Sequence, residues 1–253
     1  MSDLAHELEC AEDVARRAGK RMLEVRAAGM SVSPKGRDDV VTNVDVEVEK
    51  FLKGELRRLF PDAGLIGEET GSESDSKSRQ WLVDPVDGTR NLTYDLPLSS
   101  VSVALQIDGI SVVGAVYHPH LDELFSTRTG AGVRLNGKPV HPTVTPSLRD
   151  AMVGAKATRD QIDAFNAIAG ACCDVRRLGT AALELAYIAA GRLDGIIEYG
   201  LQPWDTAAGY LLVQESGGRV TTFDGEPFNG NQDSLVASNG HLHDQMVAAL
   251  RAR

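Results

Sequence analysis

Apolar residues at Leu4, Leu8, Ala11, Ala15, Ala18, Met22 and Val25 recur every three or four positions, which predicts an amphipathic helix ending near Gly29. Val48, Phe51, Leu52, Leu56 and Leu59 repeat the pattern in a second helix, from about position 43–45 to Phe60, with Pro61 stopping it. Residues 33–39 between them are polar and rich in breakers, and read as a loop. The period then shortens. Leu65-Ile66 and Trp81 to Val83 read as strands, the second ending on Asp84 because Pro85 has no N–H to continue a ladder. Residues 98–107 and 110–117 are β-rich and meet at Asp108-Gly109, the best hairpin signal in the chain. Strands at 123–127 and 132–136, with turns at Thr129-Gly130 and Asn136-Gly137, extend the meander. Residues 71–79, rich in serine and charge, read as an exposed mobile connection.

After 143–149 the pattern alternates. Helices are predicted at 161–169, 180–190, 204–216 and 241–250, with strands at 174–176, 193–198, 219–222 and 235–237. The expectation is an α/β protein in two halves: 1–146, helices on an antiparallel sheet, and 147–253, an α/β layer on a parallel or mixed sheet.

Composition narrows the function. A net charge of -10 gives no basic face for a nucleic acid, so no nucleic-acid partner is expected. The same deficit means that a phosphate-bearing substrate needs positive charge from elsewhere, and metal ions are the obvious source. Cys10, Cys172 and Cys173 are an odd set with two adjacent, which is no disulfide framework and suits a reducing cytoplasm. Neither a signal peptide nor a membrane-spanning run is apparent, so a cytoplasmic protein without a membrane partner is expected.

The chemistry concentrates in Asp84-Pro85-Val86-Asp87-Gly88-Thr89-Arg90-Asn91. Taken alone this is a turn-rich stretch, and equally one able to offer two carboxylates to a hard cation and backbone N–H groups to a phosphate. Thr89 could cap the helical turn that follows. Three further acidic sites accompany it at predicted strand ends or helix starts: Asp45, Glu68-Glu69 and Asp205. Asp45 and Asp205 would also suit the first turn of a helix, where the dipole favours an acid. Two carboxylates about 4 Å apart repel by roughly 4 kcal/mol at an effective dielectric near 20, so such acids brought together need cations.

In this order the chain resembles the inositol monophosphatase family of magnesium-dependent, lithium-sensitive phosphatases. The resemblance runs from Asp39-Val40-Val41-Thr42-x-x-Asp45 through Gly67-Glu68-Glu69 and the central stretch to Gly179-Thr180-Ala181-Ala182 and Trp204-Asp205-x-Ala207-Ala208-Gly209. It implies a layered α/β/α/β/α sandwich, a homodimer, and two or three Mg2+ ions. Glu68, Asp84 and the Val86 carbonyl would hold the first ion, and Asp84, Asp87 and Asp205 the second. A third would lie near Glu68, with Asp45 reaching it through water. Glu68, Thr89, Thr42 and Asp45 would orient a water for in-line attack on phosphorus. Gly88 and Thr89 would cradle the phosphate, and Asp87, Gly179, Thr180, Ala181, Glu198 and Asp205 would meet the substrate.

Asn91 matches the inositol phosphatase branch, whereas the bisphosphate nucleotidase branch usually has an acid there, and Leu92 stands where the family has an aromatic. Lys35 resembles a lysine of the family's first mobile loop but lies one residue closer to Asp45. The expected substrate is a small polyol phosphate, inositol 1-phosphate first, with histidinol phosphate, fructose 1,6-bisphosphate or a specialised sugar or cyclitol phosphate as alternatives. A non-catalytic partner-binding protein on the same fold is the rival from another class. His118-x-His120 and His241-x-His243 lack a third ligand at zinc spacing, Gly130-x-Gly132 lacks the third glycine of a dinucleotide loop, and no Walker loop or nucleophile elbow is present.

Overall fold

The computed structural model describes residues 4–35, 40–72, 78–156 and 161–252. Asp39 of the first motif, the rest of 36–39 and residues 73–77 of the predicted connection lie outside the described residues. Helix α1 (Ala5–Ala28) buries Ala11, Val14, Ala15, Ala18 and Met22, the face that the periodicity marked, and ends at Gly29. A short hairpin of β1 (Val32–Pro34) and β2 (Val40–Thr42) follows, where the sequence reading had only a loop. These strands are three residues each, too short for a period to declare itself. Helix α2 (Asn43–Leu59) then buries Val48, Leu52 and Leu56.

The first sheet takes β3 (Gly64–Gly67), β4 (Gly71–Ser72) and β5 (Arg79–Asp87). After the single-turn helix α3 (Thr89–Thr93) come β6 (Ser100–Ile107), β7 (Ile110–His118), β8 (Glu123–Arg128), β9 (Val133–Leu135) and β10 (Lys138–Val140). Its order is β10-β9-β8-β7-β6-β5-β3-β4, antiparallel except for the parallel pair β3 and β5. The predicted stop at Asp84 is corrected: β5 runs on to Asp87, because a register shift between Asp84 and Asp87 against β6 takes Pro85 out of the regular ladder. Asp108 and Gly109, both at positive φ, make the hairpin turn that their types predict.

The second sheet holds β11 (Met152–Ala155), which the sequence reading missed, then α4 (Ile162–Ala169), β12 (Asp174–Arg176), α5 (Ala181–Ala189), β13 (Gly195–Tyr199), α6 (Pro203–Glu215), β14 (Arg219–Thr221), β15 (Ser234–Ser238) and α7 (His243–Arg251). Its order is β12-β11-β13-β15-β14, parallel across β12-β11-β13 and antiparallel beyond.

The layers run α/β/α/β/α. Helices α1 and α2 cover one face of the first sheet, α5 and α6 lie between the sheets, and α4 and α7 cover the far face of the second. Small residues set the inner spacing. A Cβ on Gly114 of β7 would meet Ala208 O at 2.9 Å, so α6 lies directly on the sheet with Asp205 in its first turn. No helix among the described residues is long and apolar enough to cross a membrane.

Candidate functional site

Five chain segments reach one end of the first sheet: the first turn of α2, the turn after β3, the end of β5 with α3, and the first turns of α5 and of α6 beyond them. Asp45 occupies the third position of α2 and completes a capping box, its Oδ2 accepting from Thr42 N at 2.8 Å and from Thr42 Oγ1 at 2.5 Å. Its other oxygen accepts from Thr89 Oγ1 at 2.8 Å. Asp205 does likewise at the third position of α6, accepting from Gln202 N at 2.7 Å. Both therefore are the first-turn acids that the dipole favours, and the cap is what fixes each carboxylate.

Thr89 does not cap α3. Gly88, left-handed at φ 92°, is the residue that precedes that helix, and the Thr89 hydroxyl turns instead to Asp45 and to Val86 O, 3.0 Å away. A Cβ at Gly88 would lie 2.8 Å from Leu98 O and 3.3 Å from Thr180 Cβ, so only glycine fits there. Asn91 ties this turn to the second half, donating to Leu98 O at 2.8 Å and Leu178 O at 2.7 Å. Gly179, also left-handed, and buried Thr180 are thereby brought beside Asp87.

Asp87 is the junction. Its carboxylate accepts from Thr180 Oγ1, from Ala181 N at 3.1 Å and from Ala182 N at 2.8 Å, and so satisfies the opening N–H groups of α5 that Thr180 does not cap. Ser100 Oγ approaches it at 3.3 Å. Asp84, almost wholly buried, accepts from Val86 N at 3.0 Å.

Burial raises the Asp84 carboxyl well above the usual range, and the charges of Glu68, Asp87 and Asp205 push it further. Burial also raises Asp87, against the hydrogen bonds from Thr180 and α5. Asp205 is raised to about 7, first by burial and then by the neighbouring charges of Asp87 and Glu68. Asp45 is raised by burial despite its threonine partners.

Asp84, Asp87 and Asp205 thus share one desolvated neighbourhood, with the partly exposed Glu68 at its edge. They are not gathered round a single point: among the described residues no three acid, cysteine or histidine side chains converge tightly enough to hold an ion as they stand. The reason is local. Glu68 and Glu69 turn to Lys35 Nζ, at 2.9 and 2.8 Å, while Asp87 and Asp205 turn to helix N–H groups. Burial pulls the Lys35 ammonium down, but its bonds to Glu69 and Glu68 outweigh that and hold its pKa above the ordinary value. The donor set still suits hard divalent cations, which take carboxylate and carbonyl oxygens and relieve the repulsion at Asp84.

A model of the Inositol monophosphatase family matches residues 3–253. The chain belongs to the inositol monophosphatase family. A family relative named Nus factor SuhB from Escherichia coli is 37% identical, over 96% of this chain and 95% of its own. One named Inositol-1-monophosphatase from Synechocystis sp. is 34% identical over 99% and 91%. Among family structures, that of extragenic suppressor protein suhB from Bartonella henselae superposes at a TM-score of 0.93, with 32% identity over 98% of this chain and 99% of its own.

Glu198 lies at the second-half wall, buried, with Oε2 lacking a hydrogen-bond partner. Burial and the charge of Glu184 raise it well above the usual range. Glu184 was not among the residues expected at the site. It is the one charged residue in the apolar run Ala181–Ala189, is fully enclosed, accepts from Leu178 N at 3.0 Å, and is raised by burial to about 7. A lone acid on an otherwise apolar helix was the available signal. His118 and His120 face each other edge-on at 5.7 Å without a third ligand among the described residues.

Proposed function

We propose that this chain is a magnesium-dependent phosphomonoesterase of small polyol phosphates, with inositol 1-phosphate the leading substrate. The observation that carries the reading is the set Glu68, Asp84, Asp87 and Asp205, drawn from both halves of the chain, in which the neighbouring acids add to burial in raising the Asp84 and Asp205 carboxyls. Residues 1–146 supply most of this set, and 147–253 supply Asp205 and the pocket wall. Glu68, Asp84, Asp87, Asp205 and the Val86 carbonyl are the oxygens that would hold two Mg2+ ions, with Asp45 near a third. When bound, magnesium supplies positive charge that acidifies water and neutralises phosphate oxygens.

The chain's own groups then have separable tasks. The Thr89 hydroxyl donates to Asp45, so its lone pairs are free to accept from an attacking water, and Asp45, already raised in pKa, takes the proton onward. Thr42 holds Asp45 in that pose. Gly88 and Thr89 present N–H groups to the phosphate oxygens, and Gly179, Thr180 and Ala181 form the facing wall. Glu198 accepts hydrogen bonds from substrate hydroxyls. The new bond joins water oxygen to phosphorus, the bond to the leaving alkoxide breaks, and water protonates that alkoxide.

A homodimer in the cytoplasm, inhibited by lithium, completes the proposal. Phosphate release from inositol 1-phosphate, histidinol phosphate, fructose 1,6-bisphosphate and adenosine 3′,5′-bisphosphate, with magnesium or with chelator, tests it. One ester far ahead, and only with magnesium, is the expected result. Silence across the panel from protein that binds magnesium would favour an ester outside the panel or the second reading, a partner-binding protein. The relative named Nus factor SuhB is the observation behind that reading.

A further inference from the structure

Among the ion pairs of the described residues, Glu49 and Lys53 form the most deeply buried, with side chains 1% and 4% exposed and Nζ 3.4 Å from Oε1. A pair one turn apart on a helix forms equally well at the surface, and taking both charges out of water is expensive, so the burial calls for a reason. The hydrogen bonds supply one. Glu49 Oε2 accepts from Glu69 N at 2.7 Å, while Oε1 accepts from Thr70 N at 2.9 Å and from Thr70 Oγ1 at 2.6 Å. Lys53 Nζ donates to Thr70 Oγ1 and to Gly71 O, the latter at 2.9 Å. The threonine hydroxyl thus accepts from the ammonium and donates to the carboxylate. On the other side of Glu68, a Cβ at Gly67 would lie 2.6 Å from both Cδ and Oε2 of Glu49.

One buried carboxylate therefore lies against Gly67 immediately before Glu68 and accepts from the backbone N–H groups of Glu69 and Thr70 immediately after it. We infer that Glu49, anchored by Lys53, is a positioning residue for Glu68: it fixes the turn after β3 so that the Glu68 carboxylate faces Asp84, without itself meeting metal or substrate. The inference rests on the proposed role of Glu68 as a magnesium ligand. Charge-assisted bonds to backbone N–H groups are strong, and two in succession leave the turn little freedom.

Calorimetric titration with magnesium, joined to amide hydrogen exchange on the full chain, tests this in wild type, Glu49→Gln, Gly67→Ala and Glu68→Gln. In Glu49→Gln one oxygen becomes an NH2 that opposes a backbone N–H. The magnesium Kd is expected to rise about 10- to 100-fold, as for partners that orient metal ligands elsewhere. Exchange at Glu69 and Thr70 should quicken while β6 and β7 keep their protection. Glu49→Gln strands Lys53, and should it fail to fold, Gly67→Ala keeps both charges and displaces the carboxylate by contact, with the same loss expected. Wild-type magnesium affinity in whichever of these variants folds, alongside weakened binding in Glu68→Gln, would overturn the inference and leave the pair a structural staple. Wild-type affinity in Glu68→Gln would overturn the metal role itself, and is read separately.

Discussion

The Thr89 hydroxyl donates to Asp45 Oδ1 across 2.8 Å, joining the first turns of α3 and α2 over 44 residues of sequence. The bond fixes where the hydroxyl's lone pairs point. Thr89→Ala removes it and is expected to lower kcat about 10²- to 10⁴-fold, the usual range for losing a proton-transfer group. KM and the thermal midpoint should move little, and Thr89→Ser should restore most of the rate. Steady-state kinetics on the two variants decide it, and a full rate in Thr89→Ala would remove Thr89 from the chemistry.

Asp87 ends β5 and also caps the start of α5, so its two substitutions should separate. Asp87→Asn keeps an acceptor for α5 and lessens repulsion on Asp84, and is expected to abolish turnover while the chain stays folded. Asp87→Ala leaves Ala181 and Ala182 N–H groups unpaired and should cost about 1–3 kcal/mol besides. Thermal unfolding beside an activity assay reads both effects, and near-normal turnover in Asp87→Asn would sink the metal assignment.

Lys35 places an ammonium on Glu68 and Glu69, where a cation would compete with it. The pair is partly exposed, so its worth is about 1 kcal/mol or less after screening. Lys35→Met should then lower the half-saturating magnesium concentration severalfold. A rise instead would mean that the lysine assists binding.

The Asp205 carboxyl, raised to about 7, sets a pH dependence with a definite sign. In metal-free protein the folded state holds a proton that the unfolded state releases. Its contribution to stability is present at low pH and is lost as pH rises from about 4 through about 7. Magnesium must displace that proton, so affinity should climb with pH to about 7 and level off above. Calorimetry at about pH 6 in two buffers of different ionisation heat should register proton release. Its absence would exclude Asp205 as a ligand.

The parts of the fold written in short-range pattern were legible in the sequence. Buried faces of α1 and α2, the Asp108-Gly109 hairpin and the alternation of the second half all follow from periodicity and turn chemistry. The misses were of another kind. The hairpin β1–β2 and strand β11 are too short to carry a period, and β5 passes Pro85 through a bulge that only its pairing with β6 reveals. At the candidate site, position at strand ends and helix starts singled out Asp45, Glu68, Asp84, Asp87 and Asp205, and the resemblance to a family grouped them. Nothing in them told that Asp87 would terminate another helix, that Lys35 would hold Glu68, or that Glu49 would clamp its turn. Those are contacts between distant segments, and single-sequence pattern does not encode them.

The bulge in β5 changes the parity of the strand. Leu82 packs toward α5 and α6, while Val83 and Val86 both pack toward α1 and α2. In an unbroken pleat residues three apart face opposite ways, and Asp84 and Asp87 would be parted by the thickness of the sheet. The shift between them returns both acids to the α5 side. Losing or gaining one residue between Asp84 and Asp87 would leave the strand's length and hydrophobicity almost unchanged and yet disassemble the site, which makes the spacing itself, and not the acids alone, a heritable part of the chemistry.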